Sequence, residues 1–120
     1  MKRILIIDDD RHMVDFMATA LSLAAYSVET AHRSLDGLKL ARSLKPEIVL
    51  LDLMMPDMHG FDVCQILRQD NSFQGKILIV SGKTFDVDKK TAKRLGADGF
   101  IEKPFTVDEL LVAVENITRS

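Results

Sequence analysis

The chain has 120 residues, 47% of them hydrophobic and 28% charged, enough for one domain with a real core and too few for two. Lys and Arg number 16 against 18 Asp and Glu, which excludes both a basic nucleic-acid footprint and an acidic disordered tail. A single cysteine, Cys64, excludes an internal disulfide and points to a reducing cytoplasm, and no apolar stretch approaches the roughly 20 residues that span a bilayer.

In chain order, the opening run Arg3–Ile7 reads as a strand that stops at three acids, Asp8-Asp9-Asp10, and so is unlike a secretory signal. Asp10 is placed to cap a helix beginning at Arg11, whose apolar face is Met13, Met17, Ala20, Leu21 and Ala24. Ser27–Ala31 is a second strand. Leu35, Leu38, Ala41 and Leu44 form the face of a second helix, which Pro46 closes. Residues 48–51 make a continuous apolar strand running into Asp52, and Phe61, Cys64 and Leu67 mark the third helix. Gly75 precedes a strand at residues 77–80, which leads to Ser81. Val87, Ala92 and Leu95 form a fourth helix, ended by Gly96. A fifth strand at residues 100–101 runs into Lys103-Pro104, and Val107, Leu110, Leu111, Val114 and Ile117 line the last helix. No internal repeat, low-complexity stretch or linker interrupts the series.

Five alternations of strand and helix, with strands apolar on both faces, predict a parallel sheet flanked by helices: a doubly wound (βα)5 three-layer sandwich occupying residues 1–120 as one domain. Such sheets carry their ligand site at the carboxyl ends of the strands. There the topology gathers Asp8, Asp9, Asp52, Ser81 and Lys103. Any one of these acids has a bland reading as a turn or cap residue. Together the carboxylates repel, and a hard divalent cation with oxygen ligands, Mg2+ above all, resolves the crowding. A lysine and a hydroxyl facing the same cluster suit a phosphoryl group.

Four segments carry a resemblance. Residues 4–10 (Ile-Leu-Ile-Ile-Asp-Asp-Asp), 51–60 (Leu-Asp-Leu-Met-Met-Pro-Asp-Met-His-Gly), 81–82 (Ser-Gly) and 96–105 (Gly-Ala-Asp-Gly-Phe-Ile-Glu-Lys-Pro-Phe) together resemble the receiver domain of bacterial two-component response regulators. The likeness covers essentially the whole chain and implies a flavodoxin-like sheet of order 2-1-3-4-5. It further implies that Asp52 takes a phosphoryl group from a sensor histidine kinase or phosphotransfer protein. Asp9 would bind Mg2+ directly, Asp8 through water, and Asp52 and the backbone carbonyl of Met54 would complete the metal site. Lys103 would contact one phosphoryl oxygen, Ser81 would hydrogen-bond another, and the Lys103-Pro104 peptide would be cis. The implied readout is a population shift: Ser81 moves toward the phosphate, Phe100 turns into the space behind the fourth strand, and the face of the fourth helix, fifth strand and fifth helix changes shape. Against this, Phe100 has the plain alternative of a permanent core aromatic. The chain would be a phosphoacceptor switch, assisting its own phosphorylation and dephosphorylation, and not a turnover enzyme.

Departures from the pattern are informative. Phe100 replaces the more usual tyrosine and loses a hydroxyl. Met54 and Lys83 occupy positions that tune access of hydrolytic water, and bulky Met54 is expected to slow self-hydrolysis. Receivers joined to winged-helix DNA-binding domains usually carry arginines where Ala113 and Glu115 stand and an acid at Gly99, so that dimer is not expected. A monomer or a weak phosphorylation-dependent dimer is expected instead, acting on an output protein or on an effector domain beyond Ser120, with Val112 and Ala113 as an apolar docking patch. No direct nucleic-acid or membrane contact is expected. His12, His32 and His59 lack ligand spacing and read as surface residues, the methionines as gap fillers, and Lys89, Lys90, Lys93 and Arg94 as a solvated basic face.

A haloacid-dehalogenase-type phosphatase also uses an Asp-x-Asp pair after its first strand, as Asp8 and Asp10 would supply. It needs a longer chain, however, and leaves Asp52 without a task. A degenerate, purely protein-binding receiver is disfavoured because all five polar residues are present. An FMN binder of the same fold is disfavoured because no hydroxyl-rich phosphate loop follows the first strand.

Overall fold

A computed structural model describes residues 2–82 and 86–119, the side chains of 86–88 excepted. Among these, strands and helices alternate strictly: β1 (Arg3–Ile7), α1 (Arg11–Leu23), β2 (Ser27–Ala31), α2 (Ser34–Leu44), β3 (Ile48–Asp52), α3 (Gly60–Gln69), β4 (Lys76–Ser81), α4 (Asp86–Arg94), β5 (Gly99–Glu102) and α5 (Val107–Arg119). The strands form one parallel sheet in the order β2-β1-β3-β4-β5. The predicted strands match, with β3, β4 and β5 each longer by one or two residues. The expectations for Lys83 and for the side chain of Val87 lie outside the described residues.

Alternation along each strand divides the core in two. Leu5, Ile7, Val49, Leu51, Ile77 and Ile79 point toward α2, α3 and α4, where they meet Leu38, Ala41, Val63, Cys64, Leu67 and Ala92. Ile4, Ile6, Ile48, Leu50, Leu78 and Val80 point the other way, against Val14, Met17, Leu21, Leu110, Val114 and Ile117 of α1 and α5. Each side chain buried in this way contributes about 1.5–3 kcal/mol. Because both faces are covered, β1, β3 and β4 are apolar between their ends: Arg3 and Lys76 stand where β1 and β4 begin, and polarity returns at the rim with Asp8, Asp52 and Ser81.

Helix boundaries follow local chemistry. Asp10 caps α1, its carboxylate accepting from the Met13 N–H. Thr106 and Glu109 form a reciprocal capping box at the start of α5. Gly96, at φ +104°, ends α4 where an L side chain would be strained and would strike Arg68. Two faces differ from expectation. Ala24 lies at the C-cap of α1, where the chain turns away from the sheet, and is exposed; Val14, in the first turn, joins the buried face instead. Leu35 sits in the first turn of α2 and is exposed, while Gly37 packs directly on Ile7.

Arg68 of α3 ties the end of the sheet remote from the rim. Its guanidinium donates to the Gly96 carbonyl at 2.7 Å, to the Gly75 carbonyl at 2.8 Å and to the Asp98 carboxylate. Asp98 also accepts from the Ile77 N–H at 2.8 Å.

Gly60 has the opposite placement, under the rim. A Cβ there would stand 2.6 Å from the Asp52 carbonyl oxygen and 2.7 Å from the Leu53 Cα, both backbone atoms that cannot swing aside. Gly60→Ala is therefore expected to cost about 1–3 kcal/mol, the usual range for overpacking, read as a lower urea midpoint with unchanged m-value.

Candidate functional site

Strand register assembles the site. Ile7 lies beside Leu51, so the next residues, Asp8 and Asp52, emerge together at the carboxyl end of the sheet. Asp52 lies beside Val80, placing Ser81 one step beyond it, and Ser81 pairs with Glu102, after which Lys103 follows. The Lys103 backbone N–H donates to the Ser81 carbonyl at 2.8 Å. The Lys103–Pro104 peptide is cis.

Carboxylate oxygens of Asp8, Asp9 and Asp52 lie within 4.8 Å of one another. Asp8 and Asp52 are buried, while Asp9 is exposed. Lys103 enters between them, its Nζ 2.9 Å from Asp8 Oδ2 and 3.6 Å from Asp52 Oδ1. Burial, then the charge of Asp8, pushes Asp52 up from 3.8 to about 6; Lys103 opposes the rise and Asp9 adds to it. Burial is also the largest influence on Lys103 and disfavours its charge. The hydrogen bond to Asp8 and the charges of Asp52 and Asp8 together outweigh that penalty and leave the lysine above its ordinary value.

The donor set at the rim is all oxygen. Three carboxylates stand against one lysine, an imbalance that suits a hard divalent cation and does not suit zinc. Asp10 stands apart from this cluster. Its backbone N–H donates to Asp8 Oδ1 at 3.0 Å and its carboxylate is occupied in capping α1, so the Asp8/Asp10 pair does not form the two-acid site of the phosphatase alternative.

Met54, two residues past Asp52, is 55% exposed on the loop of residues 53–59. Ser81 is buried at the end of β4. Phe100 is half-buried on β5 against the α4 side of the core, beside a groove of about 250 Å³ that Lys89, Lys93 and Asp98 also line. It is neither a sealed core aromatic nor a free surface ring. Val112 is exposed and Ala113 half-buried, bordering a shallow apolar face with Ile101.

Three residues near the site went unrecognised in the sequence. His32 is half-buried at the end of β2, not a surface bystander, and its Nδ1 lies 3.3 Å from the Asp8 carbonyl oxygen. Asp57 accepts from the backbone N–H groups of Ser34 and Leu35, both at 3.0 Å, bonds that hold its carboxyl below the usual range. The buried Ser34 hydroxyl donates to the Met58 carbonyl at 2.9 Å. One signal was present: Arg33 occupies the N-cap of α2 and cannot cap it, so the helix must find its acceptor elsewhere.

Residues 4–115 match the family model of the response regulator receiver domain. The chain is 39% identical over 120 residues to the DNA-binding dual master transcriptional regulator RpaA of a Synechocystis species, covering 99% of this chain and 50% of that protein. It is 35% identical over 119 residues to the response regulator ArlR of Staphylococcus aureus, covering 99% of this chain and 53% of that protein. The chain thus spans about half the length of these curated relatives. Among solved structures, the chemotaxis response regulator CheY4 of Vibrio cholerae superposes with a TM-score of 0.93 at 28% identity, covering 98% of each chain. A CheY-like receiver domain protein from Methanospirillum hungatei gives 0.92 at 28% identity, over 99% of this chain and 95% of that one. Among the described residues, no helix is long and apolar enough to cross a membrane.

The raised Asp52 pKa has a signed consequence. Its folded value lies above its unfolded one, so folding is penalised once pH exceeds the unfolded value, and the penalty is complete above about 6. Asp52→Asn is expected to be more stable than the parent by about 1–2 kcal/mol at pH 7.5, with the gain shrinking toward zero below pH ~4. Urea denaturation at the two pH values measures both; an equal gain at both would contradict the electrostatic origin.

Proposed function

The chain belongs to the family of response regulator receiver domains of two-component systems, and from that membership we propose that it is a Mg2+-dependent phosphoacceptor switch with Asp52 as its nucleophile. The observation that carries this reading is the buried Asp52 carboxylate at the end of β3, with Lys103 Nζ 3.6 Å away and Asp8 and Asp9 alongside. A titration midpoint of about 6 leaves Asp52 largely ionised at neutral pH and more basic, hence more nucleophilic, than an ordinary carboxylate.

In the proposed reaction, an Asp52 oxygen attacks the phosphorus of a phosphohistidine on a sensor histidine kinase or phosphotransfer protein. The O–P bond forms as the P–N bond breaks, and the electron pair returns to the histidine nitrogen. Lys103, already charged and aimed at the site, meets the phosphoryl oxygens, and Ser81 supplies a hydroxyl to another. Mg2+ held by Asp8, Asp9, Asp52 and the Met54 carbonyl would neutralise charge on the transferred group. Water reverses the modification by hydrolysing the acyl phosphate. The chain assists both directions on itself and has no other turnover in this reading.

Readout in this proposal uses Ser81 and Phe100. The half-buried ring beside the α4 groove has a side to turn into, and its movement would reshape the α4–β5–α5 face for an output protein or an attached effector domain. The kinase partnership implies a cytoplasmic setting. The absence of arginines at Ala113 and Glu115 favours a monomer or a weak dimer formed on phosphorylation.

Incubation with Mg2+ and acetyl phosphate is expected to add roughly 80 Da, one phosphoryl group, as an acid-stable and base-labile modification that is absent from Asp52→Ala. A gain that persists in Asp52→Ala would move the nucleophile to another aspartate. Met54→Asn is expected to shorten the lifetime of the phosphorylated form by about three- to tenfold, by removing a bulky side chain from the exposed edge of the site. Decay of the modified mass with time measures it, and an unchanged lifetime would remove the shielding role.

A further inference from the structure

The corner between β2 and α2 carries none of the proposed site residues, yet it grips both loops that do. Behind β1, the Asp8 N–H donates to the Ala31 carbonyl at 3.1 Å, and His32 Nδ1 lies 3.3 Å from the Asp8 carbonyl. Behind β3, Asp57 accepts from the Ser34 and Leu35 N–H groups, and the Ser34 hydroxyl donates to the Met58 carbonyl. Residues 31–35 therefore hold the backbone that follows each strand, with Asp8, Asp9 and Asp52 between the two grips.

From this arrangement we infer that Asp57 and Ser34 are positioning residues, which lock the 53–59 loop to the start of α2 and so set where Asp52 and the Met54 carbonyl stand relative to Asp8 and Asp9. The inference rests on the phosphoacceptor reading for the roles of Asp52 and Met54. A cap serving α2 alone would need only Ser, Thr, Asp or Asn at position 33, where Arg33 stands. Here the acceptor comes instead from the loop that follows the nucleophile, so ordering the helix and ordering the loop become one event. Asp57 meets two adjacent N–H groups with both carboxylate oxygens, at the N-terminus of α2 where the helix dipole favours negative charge. Ser34 adds a third tie from a wholly buried hydroxyl. At the far end of the same loop, the Gly60 N–H donates to the Leu53 carbonyl at 2.8 Å. The loop is thus fastened close to the nucleophile and again beyond Pro56, with Met54 between the fastenings.

The test compares Asp57→Ala, Asp57→Asn and the stability control Ile117→Val, a core trim at the opposite end of the molecule. Mg2+ affinity is read from amide shifts in the absence of any phosphodonor, and the acetyl phosphate reaction is read separately as a function of Mg2+. Asp57→Ala is expected to weaken Mg2+ binding about three- to tenfold and to raise half-saturating Mg2+ equally, with the Mg2+-saturated rate changed less than about twofold. Asp57→Asn, which keeps one acceptor, should recover most of the loss, and Ile117→Val should lower thermal stability with no change in Mg2+ affinity. Wild-type Mg2+ affinity in Asp57→Ala, beside a lowered Tm, would overturn the inference and leave Asp57 as a cap for α2. Wild-type protein that binds Mg2+ but takes no phosphoryl group would overturn the phosphoacceptor reading, the brace then standing or falling on the affinity data. No Mg2+ binding by the wild type would overturn both.

Discussion

Burying Asp8 and Asp52 side by side is the constraint on which the rest of the rim depends. Two carboxylates taken out of water repel each other, and the effect is visible at Asp52, which burial and then the charge of Asp8 push up to about 6. Lys103 offsets part of it, but to reach both acids it must arrive from β5, held against Ser81 by a backbone hydrogen bond. The sheet order follows the same need. With β1, β3 and β4 adjacent and β5 next to β4, acid, acid, hydroxyl and cation fall along one edge in turn. The core beneath is continuous aliphatic packing because it must keep that edge rigid while the edge itself is electrostatically unfavourable. The residues of the proposed site are thus also the ones whose burial costs stability.

The two ends of the molecule are organised differently. At the rim, three carboxylates converge with one lysine among them, and the backbone after β1 and β3 is tied to the β2–α2 corner by the Asp8–Ala31 main-chain bond and by the side chains of Asp57 and Ser34. At the opposite end, Arg68 fills its site itself, joining the start of β4 to the turn between α4 and β5. A polar group that is fully satisfied by its neighbours stabilises. One crowded by like charge, as Asp52 is by Asp8 and Asp9, is open to a further cation. The contrast between Arg68 and Asp52 explains why two equally polar clusters, each embedded in a hydrophobic domain, have such different prospects.

Much of this was legible in the chain. Strand ends could be read because a run such as Ile48-Val49-Leu50-Leu51 stops abruptly at Asp52, and a buried strand cannot accept such a residue before its edge. Asp10 was legible because its cap is local, reaching three residues to Met13. Periodicity failed at helix ends: Ala24 and Leu35 keep the spacing of the buried face, but the chain has already turned away from the sheet, or has not yet settled on it. His32 and Asp57 were illegible for another reason. Each meets a backbone group more than twenty residues away, His32 the Asp8 carbonyl and Asp57 the first N–H groups of α2; Arg33 signals that α2 lacks a local cap, but no local pattern names the distant partner. Phe100 lies between these cases. Its place on β5 was readable, but its half-burial depends on how closely α4 approaches.

The pairing of Asp8 with Lys103 joins residues 95 positions apart, nearly the full length of the domain. A chain made from its N-terminus therefore acquires its buried acids long before it acquires their counter-charge. β1 must wait for Ile48 to gain its second neighbour, and the rim must wait longer still, until β5 has been synthesised and laid against β4. Burying those acids without Lys103 would leave like charges side by side out of water, an arrangement that costs free energy. The counter-charge of the rim is thus the last part of the site to be made, and it arrives with the strand that completes the sheet.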